Sequence, residues 1–416
     1  MPESLPFLFA TGIECSYPTI EGGRWRIDEL EATGHYRYWR DDLRLVRDLG
    51  LRFLRWGPPY YRVHLGPGRY DWSFPDAVLP HMRLLGIEPI LDLCHFGVPT
   101  WLENFQNPDF PHYFSEYARA IVRRYPWIRL FTPINEMYVT ARMSALLGVW
   151  NEQLRDEAAF ARAARHLARG AALAIDAIRA ERHDARFIVA ESSEYFHPCC
   201  PDPAIVRIAA RNNECRFLPL DLLFGHPVKP GMFEMLRASG MTREEYAWFM
   251  NRTPPRDCIL GVDYYEWNEH LINAQGEPEA LGELFGWYVI TQQYYRRYGL
   301  PLMHTETNVQ DAARAPAWLY RQWHNVELMR CEGIPVVGFT WYSLQDQVDW
   351  DCGLARAVGH VNPVGLFDLN RDPRPVADAY RGLLAMFQDR VLPTPLHWLE
   401  EPAPPEAVTV AASGGG

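Results

Sequence analysis

Short apolar runs and longer amphipathic stretches alternate along the chain. The runs are dominated by Leu, Ile, Val and Phe, which is typical of parallel strands covered on both faces. Parallel strands need crossover connections, and the stretches between the runs are long enough to form helices. The pattern therefore predicts an α/β fold, a single (β/α)8 barrel of the TIM type. Its strands are expected at 7–13, 51–56, 87–95, 127–136, 187–191, 258–265, 300–306 and 335–341.

One segment interrupts this alternation. Residues 198–257 carry several prolines and short helical pieces, so we expect an insertion after strand five rather than a second domain. The barrel domain is expected to span residues 1–400. Residues 401–416 are rich in Pro, Ala and Gly, have little to bury, and are predicted to be a disordered tail or a linker to a further domain. Helices are expected at 36–48, 76–85, 113–124, 156–181, 282–298, 315–332 and 376–388.

Three of the predicted strands end at a glutamate, and the two that stand out are Glu136 and Glu306. The C-terminal ends of barrel strands share one face, where barrel active sites lie. Two carboxyl groups about 5 Å apart are what retaining glycoside hydrolysis requires, since one protonates the leaving oxygen while the other attacks the sugar carbon. The plain alternative is a pair of surface charges, because the chain has 52 acidic residues and most of them must be solvated.

Composition and charge argue against several other classes of protein. The net charge is −11 and no basic cluster occurs, which disfavours nucleic acid as a partner. No apolar run is long enough to cross a membrane, and the first residues lack the features of a secretory signal, so we expect a cytoplasmic protein. The eight cysteines include no CxxC pair, which favours free thiols over a metal site.

Six short motifs follow one another on the predicted strands. They are Arg55 with Arg62, then 94–99 (Cys-His-Phe-Gly-Val-Pro), 132–136 (Thr-Pro-Ile-Asn-Glu), 261–265 (Gly-Val-Asp-Tyr-Tyr), 304–308 (His-Thr-Glu-Thr-Asn) and 343–350 (Ser-Leu-Gln-Asp-Gln-Val-Asp-Trp). In that order they resemble the motifs R-x-S-x-x-W-x-R, YHWDLP, T-x-NEP, GxNYY, I/V-TENG and WSLxDNFEW of the family-one glycoside hydrolases, the β-glucosidase and β-galactosidase group. The resemblance covers most of residues 7–388 and identifies the chain as a divergent member.

The resemblance implies a retaining β-glycosidase that acts on small β-linked glycosides without any metal or organic cofactor. It makes Glu136 the general acid/base and Glu306 the nucleophile, whose negative charge Arg55 would stabilise. Tyr265 would donate a hydrogen bond to Glu306, and Asn135 would bind the sugar 2-hydroxyl. The other implied contacts with the sugar are His95, Glu14, Trp341, Asp349 and Trp350.

Several positions depart from the family's motifs. Met137 replaces the proline after the acid/base, Asp349 replaces a sugar-binding glutamate, and either Trp341 or Tyr342 would form the platform under the sugar. These departures leave the sugar open among glucose, galactose and fucose. They also leave two alternative functions, a transglycosidase that uses the same covalent intermediate and a non-catalytic sugar-binding barrel. Judged without the family, Tyr265 and His95 would be packed core residues, and Glu191 and Glu194 would be spare carboxylates.

Overall fold

Eight parallel strands close into a barrel in the computed structural model, which describes residues 6–252, 257–388 and 390. Each strand pairs with its neighbours in chain order, and the first pairs with the eighth. This confirms the predicted (β/α)8 barrel. The strands are β1 (Leu8–Gly12), β2 (Phe53–Trp56), β3 (Glu88–Asp92), β4 (Leu130–Thr132), β5 (Arg186–Ser192), β6 (Cys258–Asp263), β7 (Leu302–His304) and β8 (Val336–Trp341).

Helices cover the outside of the barrel, as parallel strands require. The longest, Glu157–Glu181, begins at Asp156, whose side chain accepts a hydrogen bond from the backbone N–H of Ala159 at 2.7 Å. The helices of seven or more residues are α1 (His35–Asp48), α2 (Ser73–Leu84), α3 (Phe110–Arg124), α4 (Glu157–Glu181), α5 (Pro203–Cys215), α6 (Leu218–Phe224), α7 (Pro230–Ala238), α8 (Arg243–Met250), α9 (Gly286–Tyr298), α10 (Ala315–Cys331) and α11 (Pro375–Phe387).

The insertion after β5 is present and consists of helices α5 to α8. Beside it, the strands Tyr195–Pro198, Glu269–Ile272 and Pro278–Ala280 form a small separate sheet. Among the described residues, no helix combines the length and the apolar character that a membrane span requires. The predicted tail at 401–416 lies outside the described residues.

The barrel interior is filled by one apolar layer and closed above it by a polar layer. Side chains on a strand alternate between the two faces, so the last inward-facing position of each strand lies at its C-terminal end. The apolar layer consists of Leu8, Ala10, Phe53, Ile90, Leu130, Ile188, Ile259, Met303 and Val337. The same alternation places Arg55, Asp92, Thr132, Ser192 and Asp263 in the polar layer, and all five side chains are buried. The strands thus present charged groups at the end of the barrel where the two glutamates follow.

Candidate active site

Glu306 follows β7 and is held by two groups from other strands. The Arg55 guanidinium donates a hydrogen bond to Oε1 of Glu306. The Tyr265 hydroxyl donates to Oε2 at 2.7 Å. The Glu306 side chain is 5% exposed, so it is buried but still reaches the cavity described below. A charge-assisted bond on one oxygen and a hydroxyl on the other fix the carboxylate in position and stabilise its charge.

Arg55 also connects this glutamate to the next two strands. Its Nε and Nη2 donate to Oδ2 of Asp92 at 3.1 and 2.8 Å, and Nη2 also donates to Oδ1 of Asn135. Burial raises the pKa of Asp92, but the positive charges of Arg55 and His95 outweigh it and hold that pKa below its ordinary value. The guanidinium therefore connects three side chains, Glu306, Asp92 and Asn135.

His95 completes the same network. Its Nδ1 lies 2.8 Å from Oδ2 of Asp92, and its Nε2 lies 3.1 Å from Nδ2 of Asn135. Burial lowers the pKa of His95, but the Asp92 charge and hydrogen bond reverse the shift, so the pKa lies above its ordinary value. The structure therefore joins His95, Asn135, Arg55 and Glu306 in one network. The sequence assigned no function to Asp92. Its position at the end of β3, facing the barrel interior, could have marked it as a site residue.

Glu136 lines the same cavity as Glu306 but has a different electrostatic setting. It follows β4 in a left-handed backbone conformation (φ 38°), and its N–H donates to the Ala190 carbonyl of β5 at 3.1 Å. Burial raises the pKa of Glu136 well above its ordinary value, and the negative charges of Asp263 and Glu306 raise it further. Glu136 is consequently set up to hold a proton, whereas Glu306 has a cation beside it.

The two glutamates line one cavity of about 530 Å³ at the C-terminal end of the barrel. This volume is within the usual range for sites that bind small molecules. Eight of the ten predicted site residues belong to the cavity wall or to the network directly behind it. Those on the wall are Glu14, His95, Glu136, Tyr265, Glu306 and Trp350. Arg55 and Asn135 stand behind the wall and bond to its members.

Glu14 lies on the cavity wall after β1, next to a residue that the sequence did not single out. Its Oε2 accepts a hydrogen bond from Nε2 of Gln347 at 3.2 Å, and its Oε1 accepts from the N–H of Ser16 at 2.8 Å. Gln347 lines the cavity too. Gln347 lies far along the chain in the short strand Gln347–Val348, and the sequence marked it only as one position of the 343–350 motif.

The structure places Trp341 away from the cavity. Strand β8 carries a bulge, because Leu302 pairs with Val336 but the next residue pairs with Gly338. A bulge reverses which face each later side chain points to. Trp341 therefore points outward into the main hydrophobic core, where it is fully buried and its indole N–H donates to the Val364 carbonyl at 3.0 Å.

Tyr342, the alternative platform residue, lies beside the catalytic network instead. Its ring is nearly parallel to that of His95, with 6.3 Å between the centroids, and the Arg55 guanidinium lies 5.6 Å from its centroid. A side chain at Gly12 would collide with this ring, since a Cβ there would lie 2.2 Å from it. The absence of a side chain at position 12 therefore makes room for Tyr342.

Asp349 is the second predicted sugar contact that the structure places elsewhere. Its oxygens accept hydrogen bonds from the backbone N–H groups of Val358, Gly359 and His360 at 2.8 to 2.9 Å. The residue has φ 57° and organises the loop that follows it. Asp349 is absent from the cavity wall, whereas the next residue, Trp350, lies on it.

Two further carboxyl groups lie near the C-terminal end of β5, Glu191 within the strand and Glu194 after it. Glu191 is fully buried, and its Oε2 accepts from the N–H of Tyr138 at 2.9 Å. Burial raises the pKa of Glu191 to about 8. Glu194 lines the cavity and accepts hydrogen bonds from His270 at 2.5 Å and Arg142 at 3.3 Å. Glu191 therefore supports the backbone beside Glu136, and Glu194 belongs to a charged cluster at the outer part of the cavity.

One group of side chains has the proximity that a metal ion needs. Within the described ranges, the ligand atoms of Cys15, Asp92 and His95 lie within 4.8 Å of one another. However, the Asp92 oxygen already binds the Arg55 guanidinium, and burial raises the pKa of the Cys15 thiol well above its ordinary value. A neutral thiol and an adjacent cation make a poor site for a second cation.

Comparison with known proteins points to one family. The model of glycosyl hydrolase family 1 matches residues 23–251, which is more than half of the chain. β-Glucosidase A of Thermotoga maritima is 22% identical over 375 residues, with 79% of this chain and 82% of that protein covered. The 6-phospho-β-glucosidase AscB of Escherichia coli is 22% identical over 377 residues, with 78% and 77% covered.

The fold is also shared with solved structures. The structure of a Thermotoga maritima β-glucosidase in complex with deoxynojirimycin aligns with a TM-score of 0.75 at 18% identity. The alignment covers 92% of this chain and 98% of that one. At this level of identity the likeness concerns the fold of the whole barrel.

Proposed function

Because the chain belongs to glycosyl hydrolase family 1, we propose that it hydrolyses small, unphosphorylated β-glycosides such as β-glucosides, with retention of configuration. The contrast between two carboxyl groups in one cavity supports this most strongly. Glu306 is bonded to Arg55 and Tyr265, whereas burial and neighbouring carboxylates raise the pKa of Glu136. An ionised nucleophile and a protonated acid are what the first step of retaining hydrolysis needs.

In that first step Glu306 attacks the anomeric carbon and Glu136 gives its proton to the departing oxygen. The aglycone leaves as an alcohol, and the sugar is held as an ester of Glu306. Because the ester is uncharged, the pKa of Glu136 then falls, and the same residue accepts a proton from water. That water attacks the anomeric carbon from the opposite face to Glu306 and releases the sugar as its β-anomer.

The sugar contacts follow from the polar groups that face the cavity. Asn135 lies directly behind the wall, where Arg55 and His95 hold its amide, and the family role it would take is a hydrogen bond to the sugar 2-hydroxyl. Glu14 and Gln347 form a joined carboxylate and amide on the wall and would bind hydroxyls further round the ring. The indole N–H of Trp350 is buried without a hydrogen-bond partner among the described residues, which leaves it free to donate to the substrate.

The charge of the cavity favours an unphosphorylated sugar. A phosphate group needs cationic partners. Among the described residues, Arg142 is the arginine on the wall, and it already donates a hydrogen bond to Glu194. The carboxyl groups on the wall are Glu14, Glu136, Glu194, Glu306 and Asp351. We therefore propose that this chain differs in substrate from its phospho-β-glucosidase relatives.

The direct test is hydrolysis of 4-nitrophenyl β-glucoside, β-galactoside, β-fucoside and β-glucoside 6-phosphate by the wild type. We expect turnover of at least one neutral sugar, none of the phosphorylated one, and the β-anomer as the first product in an NMR time course. Glu306→Ala should abolish turnover, and azide should restore it and yield the α-glycosyl azide. The α-anomer as first product would contradict retention.

The same experiment separates the two alternatives. A transglycosidase would turn over faster with an added alcohol or sugar and give a glycosylated product. A sugar-binding barrel would bind a glycoside tightly without releasing 4-nitrophenol from any substrate of the panel.

A further inference from the structure

Asp92 belongs to a closed ring of four side chains behind the cavity wall. Its Oδ2 accepts a hydrogen bond from Nη2 of Arg55 at 2.8 Å and lies 2.8 Å from Nδ1 of His95. The same Nη2 donates to Oδ1 of Asn135, and Nδ2 of Asn135 lies 3.1 Å from Nε2 of His95. These side chains come from β2, from the end of β3 and from the segments after β3 and β4, and each residue is at most 2% exposed.

The chemistry of the groups fixes the direction of every bond in this ring. A guanidinium only donates, so the Asn135 atom that faces Arg55 is the amide oxygen, and the atom that faces His95 is the amide nitrogen. An ionised carboxylate only accepts, so Nδ1 of His95 carries a proton, and Nε2 is left to accept from Asn135. The ring therefore runs in one direction, with His95 as its neutral Nδ1–H tautomer.

The bond from Asn135 also limits the charge of His95. Burial lowers the pKa of His95, and the Asp92 charge reverses that shift and raises the pKa above its ordinary value. A second proton would have to lie on Nε2, however, where it would face the N–H of Asn135. The carboxylate nearest to Nε2 on the cavity side, Glu14, has its Oε1 3.9 Å away, which is too far for a hydrogen bond. The ring therefore favours the neutral form of His95.

Asp92 is placed to act through its neighbours and not on a substrate. Within the described part of the chain, the cavity wall does not include Asp92. Its Oδ1 has no hydrogen-bond partner among the described residues, so its bonds to Arg55 and His95 converge on Oδ2. Those two partners hold the Asn135 amide, one at its oxygen and the other at its nitrogen. Asp92 is thus the common anchor of both groups that fix this amide.

We propose that Asp92 is a positioning residue that orients the Asn135 amide for the 2-hydroxyl group of the sugar. One amide N–H is directed to His95, and the second remains for the substrate. A hydrogen bond to the 2-hydroxyl strengthens in the transition state, so its correct placement raises kcat more than it lowers KM. Without the Asp92 carboxylate, Arg55 and His95 lose their shared acceptor, and the amide is free to turn.

This inference rests on the proposed function, and its test compares two substrates. One is the 4-nitrophenyl β-glycoside that the wild type cleaves fastest, and the other is its 2-deoxy analogue. The ratio of their kcat/KM values measures the contribution of the 2-hydroxyl. We expect Asp92→Ala to lower this ratio about tenfold, the equivalent of one hydrogen bond, mainly through kcat of the substrate that carries the 2-hydroxyl. Asp92→Asn keeps an acceptor oxygen and should lower the ratio less.

A matched control is available at Asp42. This carboxylate is fully buried and accepts hydrogen bonds from Nδ1 of His35 at 2.7 Å and Nε of Arg371 at 3.0 Å. Its partners are thus of the same two types as those of Asp92, but they are not part of the cavity wall in the described chain. Asp42→Ala should destabilise the protein and leave the ratio as in the wild type.

A double variant tests the route through Asn135. Asn135→Ala removes the amide and should lower the ratio by itself. Adding Asp92→Ala to it should then lower both kcat/KM values by the same factor and leave the ratio where Asn135→Ala has set it. A further fall of the ratio in the double variant would overturn the proposed route.

A second measurement does not depend on activity. The nitrogen NMR shifts of the His95 ring at about pH 8 report its tautomer, and comparison with His95→Gln assigns the signals. We expect the Nδ1–H form in the wild type and loss of this preference in Asp92→Ala. A proton on Nε2 of the wild-type ring would overturn the inference.

The outcomes separate the inference from the proposed function. An unchanged ratio in both Asp92 variants of an active enzyme, or an equal fall in Asp42→Ala, would overturn the positioning role and leave the hydrolase assignment standing. Wild-type protein that cleaves no glycoside would contradict the proposed function, and the tautomer of His95 would still decide whether the ring exists.

Discussion

Two regions of the molecule line the same cavity but are built differently. The catalytic rim, which comprises Arg55, Asp92, His95, Asn135, Tyr265 and Glu306, is a network in which each side chain bonds to at least one other member. In the β8 loop, residues 342–364, Asp349 accepts hydrogen bonds from backbone N–H groups, and the indole N–H of Trp350 has no partner among the described residues. A change in the rim disturbs several partners at once, whereas the loop can exchange one sugar contact for another.

The largest expected loss of activity comes from removing Arg55, which bonds to three other residues of the rim. Arg55→Met removes the bonds to Glu306, Asp92 and Asn135 together and leaves two buried carboxylates without their cation. We expect kcat/KM to fall roughly a thousandfold or more, and the free energy of unfolding to fall by about 3–5 kcal/mol. Aryl glycoside kinetics and urea denaturation measure the two quantities.

A matched variant tests whether this loss is specific to the rim. Arg371 also pairs with a buried carboxylate, Asp42, with 3.0 Å between Nε and Oδ1. Arg371→Met should therefore destabilise the protein without changing kcat/KM for the folded fraction. If Arg55→Met and Arg371→Met both lost activity only in proportion to their loss of stability, Arg55 would act as an ordinary buried ion pair and not through the rim.

The sequence predicted the parts of this architecture that depend on regular alternation. Glu136 and Glu306 follow their strands at one end of the barrel and line one cavity with Tyr265 and His95, and Arg55 bonds to Glu306. Trp341 could not be placed in this way, because the bulge in β8 reverses its direction. A bulge is a matter of pairing between strands, and the local sequence does not specify it.

The loop was harder to predict for a similar reason. Asp349 matches the family's glutamate in position, but a positive φ and three backbone donors turn it into a loop-organising residue. The contact between Glu14 and Gln347 joins residues 333 positions apart. Only the closed barrel, which places β1 beside β8, brings them together.

An intermediate effect is expected from two carboxylates, Glu14 on the cavity wall and Asp349 in the β8 loop. If Glu14 binds sugar hydroxyls and Asp349 only stabilises the loop, removing the charge of Glu14 should lower kcat/KM, and removing the charge of Asp349 should lower the free energy of unfolding. Glu14→Gln is expected to lower kcat/KM about tenfold, the equivalent of one charge-assisted hydrogen bond, with little change in stability. Asp349→Asn should cost about 1–3 kcal/mol of unfolding free energy and leave kcat/KM nearly unchanged. If Asp349→Asn instead lowered kcat/KM and Glu14→Gln did not, Asp349 would be a residue that binds the sugar.

The smallest effect on activity is expected at Glu191, which lies beside the rim without belonging to it. Burial raises its pKa from 4.5 to about 8 in the folded protein, so the folded state holds a proton there that the unfolded chain releases. Its contribution to stability is therefore complete below about pH 4.5 and is lost as the pH rises through 8. Glu191→Gln should make the decline of the melting temperature between pH 5 and pH 8 shallower and leave kcat at pH 7 within about twofold, because the wild-type side chain is already neutral there. Thermal unfolding across that pH range measures the first quantity. A large loss of kcat would instead place Glu191 among the catalytic groups and extend the rim to β5.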